Sequence, residues 1–408
     1  MSANAEYSGP AVFSHGFRPF FLAAVLFGLA VIPVWLAVWR GALGLGGPFL
    51  PVDWHVHEMI FGYGAAVLAG FLFTAVPNWT GRMPVRGWPL AVLLALWVAG
   101  RLAVAGLLWL GPVGAMLFDS AFLLAVVGMV TREIIAGKNW RNLKVAIPVA
   151  LLLAANVLFH VEAMTGGMAD TGRRFGTAAL IFLVMLIGGR IVPSFTRNWL
   201  TRQGATRIPV PFNRFDVACL AAGAAAMLAW TVVPDSSFTG GLLGLSAVLH
   251  GLRLVRWRGV ATWRSPLLVM LHLAYGFLPV GLLAASLAAV GLAGPQAGAH
   301  LLGIGAVGGM TVAVMMRATM GHTGRPLVAG RILATAFAMV AVAAAVRAAG
   351  AAGFGPVPDG ITLAALLWTA GFLCLHCDWC PGLLRPELHG AGPIASHEPI
   401  SAGAVPCI

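Results

Sequence analysis

Long apolar runs alternate with short polar connections along almost the whole chain. Twelve such runs of about 18 to 25 residues fall near 17–39, 56–77, 88–110, 112–131, 145–164, 174–195, 215–233, 239–255, 266–290, 299–320, 330–350 and 360–380. At about 1.5 Å rise per residue, a run of this length crosses the roughly 30 Å hydrocarbon layer of a bilayer as a helix. Helices satisfy their own backbone groups in lipid, so the pattern predicts an all-α polytopic membrane protein of about twelve spans.

The runs also echo one another. His57 to Arg82 and His300 to Arg325 each open on histidine and close on Thr-Gly-Arg at the same offset. A third copy, Arg173 to Asn198, aligns Arg190 with Arg317 and Thr196 with both Thr80 and Thr323, but no histidine opens it. This spacing predicts three four-span units at 1–140, 141–260 and 261–385. An even number of spans keeps the units in one orientation, unlike inverted repeats. Spans 2, 6 and 10 are then the equivalent, central helices. A Pro- and Gly-rich tail from about residue 381 is expected to be poorly ordered, leaving 386–408 flexible.

Composition agrees and narrows the class. With 60% hydrophobic and 9% charged residues, the chain lacks the polar surface a soluble globule needs. The formal charge of +12 is no nucleic-acid footprint, because the basic residues gather at 82–86, 132–144, 197–214, 253–264 and 325–331, after even-numbered spans. The positive-inside rule therefore places both termini and these five connections in the cytoplasm. The first span has no small-residue cleavage site and is expected to be retained. Cys374, Cys377, Cys380 and Cys407 fall at the cytoplasmic end, where thiols stay reduced. The single Cys377-Asp-Trp-Cys380 pair reads as incidental.

Topology sorts the ionisable groups by depth. His55, His57, His160 and His300 belong to the outer half, with Glu58, Asp119 and Glu162. His15, His250, His272, His322 and His376 belong to the inner half. Ionisable groups in lipid are costly and point to function, and neutral imidazole is a common ligand of haem iron and copper. His55 and His57 lie about 200° apart on a helix, so they share one ion only if His55 precedes the helix. Otherwise they serve different centres. Asp53 is a candidate N-cap of span 2, and Glu58 could orient an imidazole or carry protons. Asn156 and His160 share a face. Arg190 and Arg317, at equivalent inner positions, need an anionic partner or must snorkel. The small residues Gly62, Ala66, Ala69 and Gly70 could pack on a helix or on a flat ring.

FRPFF at 17–21, WHVHEMIFGY at 54–63, AGFLFTAVPNWTG at 69–81, GGRIVPSFTRN at 188–198, LHLAYG at 271–276 and GHTGR at 321–325 together resemble the NnrS family. That family comprises bacterial multi-spanning haem- and copper-containing membrane proteins associated with nitric oxide and nitrosative stress. The resemblance implies haem and copper held through His55, His57, His160, His272, His300 and His322. His55, His57 and His300 form the leading set, and His272 and His322 a second, inner site. Haem propionates would supply the anions for Arg190 and Arg317. Tyr63 and Tyr275 are further cofactor candidates, and Glu58 is the acid–base candidate. The implied activity is binding or conversion of nitric oxide or metal-nitrosyl species, with no electron donor specified. Twelve spans in like-oriented units also resemble the haem-copper oxidase subunit, although span 6 lacks a histidine and span 10 lacks a His-x-His pair. Two other readings compete: a transporter or channel with a cavity between spans 2, 6 and 10, and a haem- or copper-binding sensor without turnover.

Overall fold

The computed structural model describes residues 7–354 and 359–385, and all regular structure among them is helical. Eleven helices are long and apolar enough to cross a membrane: α1 (Phe17–Trp39), α2 (Pro51–Thr80), α4 (Gly111–Ala136), α5 (Asn142–Gly166), α6 (Asp170–Arg202), α7 (Arg214–Val232), α8 (Ser237–Val255), α9 (Pro266–Ala289), α10 (Pro295–His322), α11 (Arg331–Ala351) and α12 (Gly360–Leu384). The remaining expected span is α3 (Trp88–Val104), an apolar helix of 10–17 residues at the short end of what crosses a bilayer. The chain is thus a multi-pass membrane protein.

Local chemistry sets the helix ends. Prolines occupy the first turn of α2, α3, α4, α9 and α10, where the missing N–H has no helical partner to lose. Asn213 and Asp216 form a capping box on α7, and Ser236 and Asp359 cap α8 and α12 through side-chain oxygens. Asp53 is not the cap of α2, which starts earlier, at Pro51. Its Oδ2 instead accepts from the backbone N–H of Ala169 at 3.1 Å, tying α2 to the start of α6. The tail also departs from expectation, because Pro381–Leu384 forms a helical turn with Leu383 fully buried. Arg18 donates to the carbonyls of Leu383 (3.1 Å) and Arg385 (2.7 Å). Residues 386–408 lie outside the described chain.

The apolar windows of α2, α6 and α10 are the most buried of the spans, at 83%, 61% and 61%. These three helices touch one another, and Tyr63 on α2 bonds Thr311 on α10 at 2.8 Å. The other helices surround them, and the ring closes where α1 packs on α12, with Trp368 Nε1 donating to Gly28 O at 2.8 Å. The small face of α2 serves helix packing. Gly62 lies against Phe27 and Gly70 against Phe20 and Phe21, all on α1.

Each central helix contains a π-helical stretch: Glu58–Gly64, Val184–Gly188 and Leu301–Gly308. In α2 and α10 it begins on the residue after the opening histidine, His57 or His300. Wide turns loosen the backbone ladder, and carbonyls in lipid need donors. Trp97 Nε1 supplies one to Gly62 O at 3.0 Å. On α6, Arg253 Nη1 donates to Met185 O at 2.9 Å and Nη2 to Gly189 O at 3.4 Å. Gly189 O is the carbonyl whose helical donor would be the N–H that Pro193 lacks.

Candidate metal centre

His57, the last residue before the π stretch of α2, points between α4 and α5. Its Nε2 lies 2.9 Å from Asn156 Oδ1 and 3.1 Å from Asp119 Oδ2, and its Nδ1 lies 3.1 Å from Glu58 Oε1. His160 Nε2 lies 3.0 Å from the same Asp119 oxygen, which also accepts from Asn156 Nδ2 at 2.7 Å. One ligand atom from each of His57, Asp119 and His160 falls within 4.8 Å of the others. Arg101 of α3 completes the cluster by pairing with Glu58 and Asp119.

Every member is buried. His57, Asn156 and His160 are 0% exposed, Glu58 1%, Asp119 2% and Arg101 8%. Aromatic walls exclude water: Phe49, Phe61 and Phe159 stand 4.7, 5.0 and 5.2 Å from the His57 ring, centroid to centroid. Two glycines make the close approach possible. A Cβ on Gly62 would lie 2.9 Å from Arg101 Nη1, and one on Gly100 would lie 3.0 Å from Asp119 Cα. With neutral imidazoles, two carboxylates against one guanidinium leave one excess negative charge in a dry pocket. Such a charge calls for a proton or a cation. His160 Nδ1 is buried with no hydrogen-bond partner among the described residues.

The remaining expected site residues are distributed over several places. His55 does lie inside the helix with His57, so the two face different neighbours. The His55 ring stacks on Trp35 of α1 at 4.3 Å, its Nδ1 is buried without a partner, and it lies in the electrostatic range of His300 and Arg347. His300 Nδ1 is 2.7 Å from Gln296 O, which fixes Nδ1 as the protonated nitrogen and leaves Nε2 a free lone pair. The histidines of the leading set therefore divide: His57 joins His160, and His55 joins His300. His272 and His322 have separate surroundings. His272 Nδ1 bonds Leu268 O at 2.9 Å, its Nε2 is 3.4 Å from Thr196, and its ring is clasped by Gly259. The His322 ring lies 5.7 Å from Phe17.

Tyr63 packs edge-on against the stacked pair Trp368 and Phe372, and its hydroxyl is hydrogen-bonded to Thr311. Tyr275 OH lies 2.7 Å from His250 Nδ1 and accepts from Arg253 Nη1 at 3.1 Å, and Asp216 accepts from Arg253 Nε at 2.8 Å. Arg317 stacks on Phe195. Arg190 is half-buried and makes no ion pair among the described residues. Glu162 accepts from the N–H groups of Thr171 (3.2 Å) and Gly172 (2.6 Å) and lies apart from the cluster. Cys219, Cys374, Cys377 and Cys380 are free thiols.

Sequence reasoning did not single out Arg101, and it placed Asp119 by depth alone. The available signal was a lone guanidinium inside an apolar run, which in lipid demands a carboxylate partner.

Fold and cluster together define a multi-pass helical membrane protein with a buried histidine–carboxylate centre. The family model described as NnrS protein matches residues 11–387, and the chain belongs to the NnrS family. The comparison with curated proteins gives no match.

Proposed function

We propose that His57, Asp119 and His160 bind a transition-metal ion, and that this centre underlies a role in relieving nitrosative stress. The observation that carries the reading is the set of three ligand atoms within 4.8 Å of one another on buried residues. Two imidazoles and a carboxylate suit copper, iron or zinc. Glu58, on the far nitrogen of His57, would orient that ligand and keep it basic, as carboxylates behind metal-bound histidines do. Phe49, Phe61 and Phe159 crowd the His57 ring at 4.7 to 5.2 Å, too close to admit a porphyrin, so the centre suits the family's copper better than its haem.

Haem fits better at the other histidine group. His300 offers an oriented Nε2, His55 a buried nitrogen without a partner, and Arg347 a nearby cation for a propionate. The bound metals would supply binding or redox chemistry toward nitric oxide or metal-nitrosyl species, and the protein supplies ligands, charge and dryness. The basic connections support cytoplasmic termini, with both histidine groups toward the outer face, and family membership supports a bacterial inner membrane. Three like-oriented units remain the simplest account of the echoes.

Metal content and Soret absorbance of purified wild type and variants test the reading. His160→Gln and Asp119→Asn should lose the ion and keep haem, whereas His55→Gln and His300→Gln should lose haem and keep the ion. Unchanged metal content in both His160→Gln and Asp119→Asn would overturn the assignment.

A further inference from the structure

The guanidinium of Arg317 on α10 lies over the Phe195 ring of α6, with Cζ 3.8 Å from the ring centroid. Stacking uses the face of the group and leaves its planar edge of N–H donors free. Among the described residues that edge meets no carboxylate and no carbonyl, and Nε is closed off from solvent. The charged group whose field reaches Arg317 is another cation, Arg202, at the end of α6. Arg202 also has no carboxylate partner among the described residues.

The most deeply buried arginines have partners within the described chain. Arg18 has the carbonyls of Leu383 and Arg385, Arg101 has Glu58 and Asp119, and Arg253 has Asp216. Two neighbouring guanidinium groups without a counter-ion, one of them half-buried in a span, repel each other where water screens them poorly. No anion among the described residues fills this place. Porphyrin carboxylates on a haem held at His300 do not reach it, because seventeen residues of α10 separate His300 from Arg317, about 25 Å along the axis.

We propose that Arg317 of α10, with Arg202 at the end of α6 nearby, binds a phosphate-class oxyanion, gripped by the edge of Arg317 and attracted by the charge of Arg202. Phosphate accepts two parallel N–H bonds from one guanidinium, a geometry the Phe195 stack holds ready. Both an anionic phospholipid headgroup and free phosphate carry this chemistry at the headgroup level.

Delipidated full-length protein in neutral detergent is titrated with phosphatidylglycerol in mixed micelles and, separately, with inorganic phosphate, with binding read by thermophoresis. Wild type should saturate with phosphatidylglycerol. Saturation by inorganic phosphate as well would assign a soluble ligand, and saturation by the lipid alone a headgroup. Arg317→Gln should weaken binding at least about tenfold, and Arg317→Lys less, since lysine keeps the charge but loses the fork. Phe195→Leu keeps every charge and removes the platform, so it should weaken binding several-fold and serves if Arg317→Gln fails to fold. No saturable binding to either probe, or wild-type affinity in the folded variants, overturns the proposal.

Discussion

Replacing Arg101 by leucine leaves Glu58 and Asp119, 1% and 2% exposed, with no cation between them. Wild type carries one positive and two negative charges in this pocket, and the variant carries only the two negatives. Removing one partner of a buried ion pair costs about 3–5 kcal/mol, because the orphaned charge neither rehydrates nor finds a new partner. A second change, Glu58→Gln, restores the wild-type excess of one negative charge. It also keeps an acceptor beside His57 Nδ1, 3.1 Å away in the native cluster. Removing one of the two orphaned carboxylates should make the double variant more stable than Arg101→Leu, and the cost of Glu58→Gln should differ between the two backgrounds by about 0.5–3 kcal/mol, the usual coupling within a network. The assay is the midpoint of loss of helical circular dichroism in mixed micelles of rising denaturing-detergent fraction. The expected order is wild type, then Arg101→Leu/Glu58→Gln, then Arg101→Leu. A double variant no more stable than the single one would show that Arg101 acts through packing and not through charge.

Arg253 poses a second test, since it serves Asp216 and the loosened backbone of α6 together. Arg253→Met should destabilise by about 3–5 kcal/mol in the same assay. Pro193→Ala, which returns an N–H to Gly189 O, should make that loss smaller; an equal loss in both backgrounds would refute the role given to Arg253 at the Gly189 carbonyl. A third test concerns pH. Asp359, outside the spans, has its carboxyl held below the usual aspartate range by hydrogen bonds from the Thr362 hydroxyl and backbone N–H and by Arg40 at the end of α1. A depressed folded pKa stabilises above the ordinary aspartate value, and the benefit fades as pH falls through the folded one. Asp359→Ala should therefore unfold more easily than wild type at neutral pH, with the gap closing in acid; a gap independent of pH would argue against it.

The membrane helices were legible because length and apolarity alone determine them, and α3 is marginal for the same reason. The burial of α2, α6 and α10 was legible from their echoing sequences. Side-chain partnerships were less so. Histidines sorted by depth gave His57, His160 and Asp119 a common level, and the structure joins them. Depth contains no azimuth, however, and so it could not separate His57 from His300. Nor could it show that His272 is spent on Leu268 and Thr196. Arg101 escaped notice because the sequence shows a lone arginine inside an apolar run but not which carboxylates it meets.

The π stretches explain why a helical wheel misleads at the decisive position. A wide turn closes its hydrogen-bonded ring with one residue more than an α turn, which puts the faces before and after it out of register by about 100°. Glu58 opens such a stretch directly after His57, and both side chains reach the same pocket although neighbouring residues on an α-helix diverge. On the other side of the stretch, Tyr63 turns away to Thr311 and the α12 aromatics. The wide turn also frees the Gly62 carbonyl for Trp97, which lies on α3 one turn before Arg101 and helps hold that helix against α2. The pocket therefore depends on backbone geometry as much as on its ionisable residues. Substituting Gly62 by alanine would put a methyl carbon 2.9 Å from Arg101 Nη1 and 2.8 Å from Phe27. Strain should then fall on the ion cluster itself, so the loss of bound metal should exceed what a mere loosening of α1 against α2 would cause.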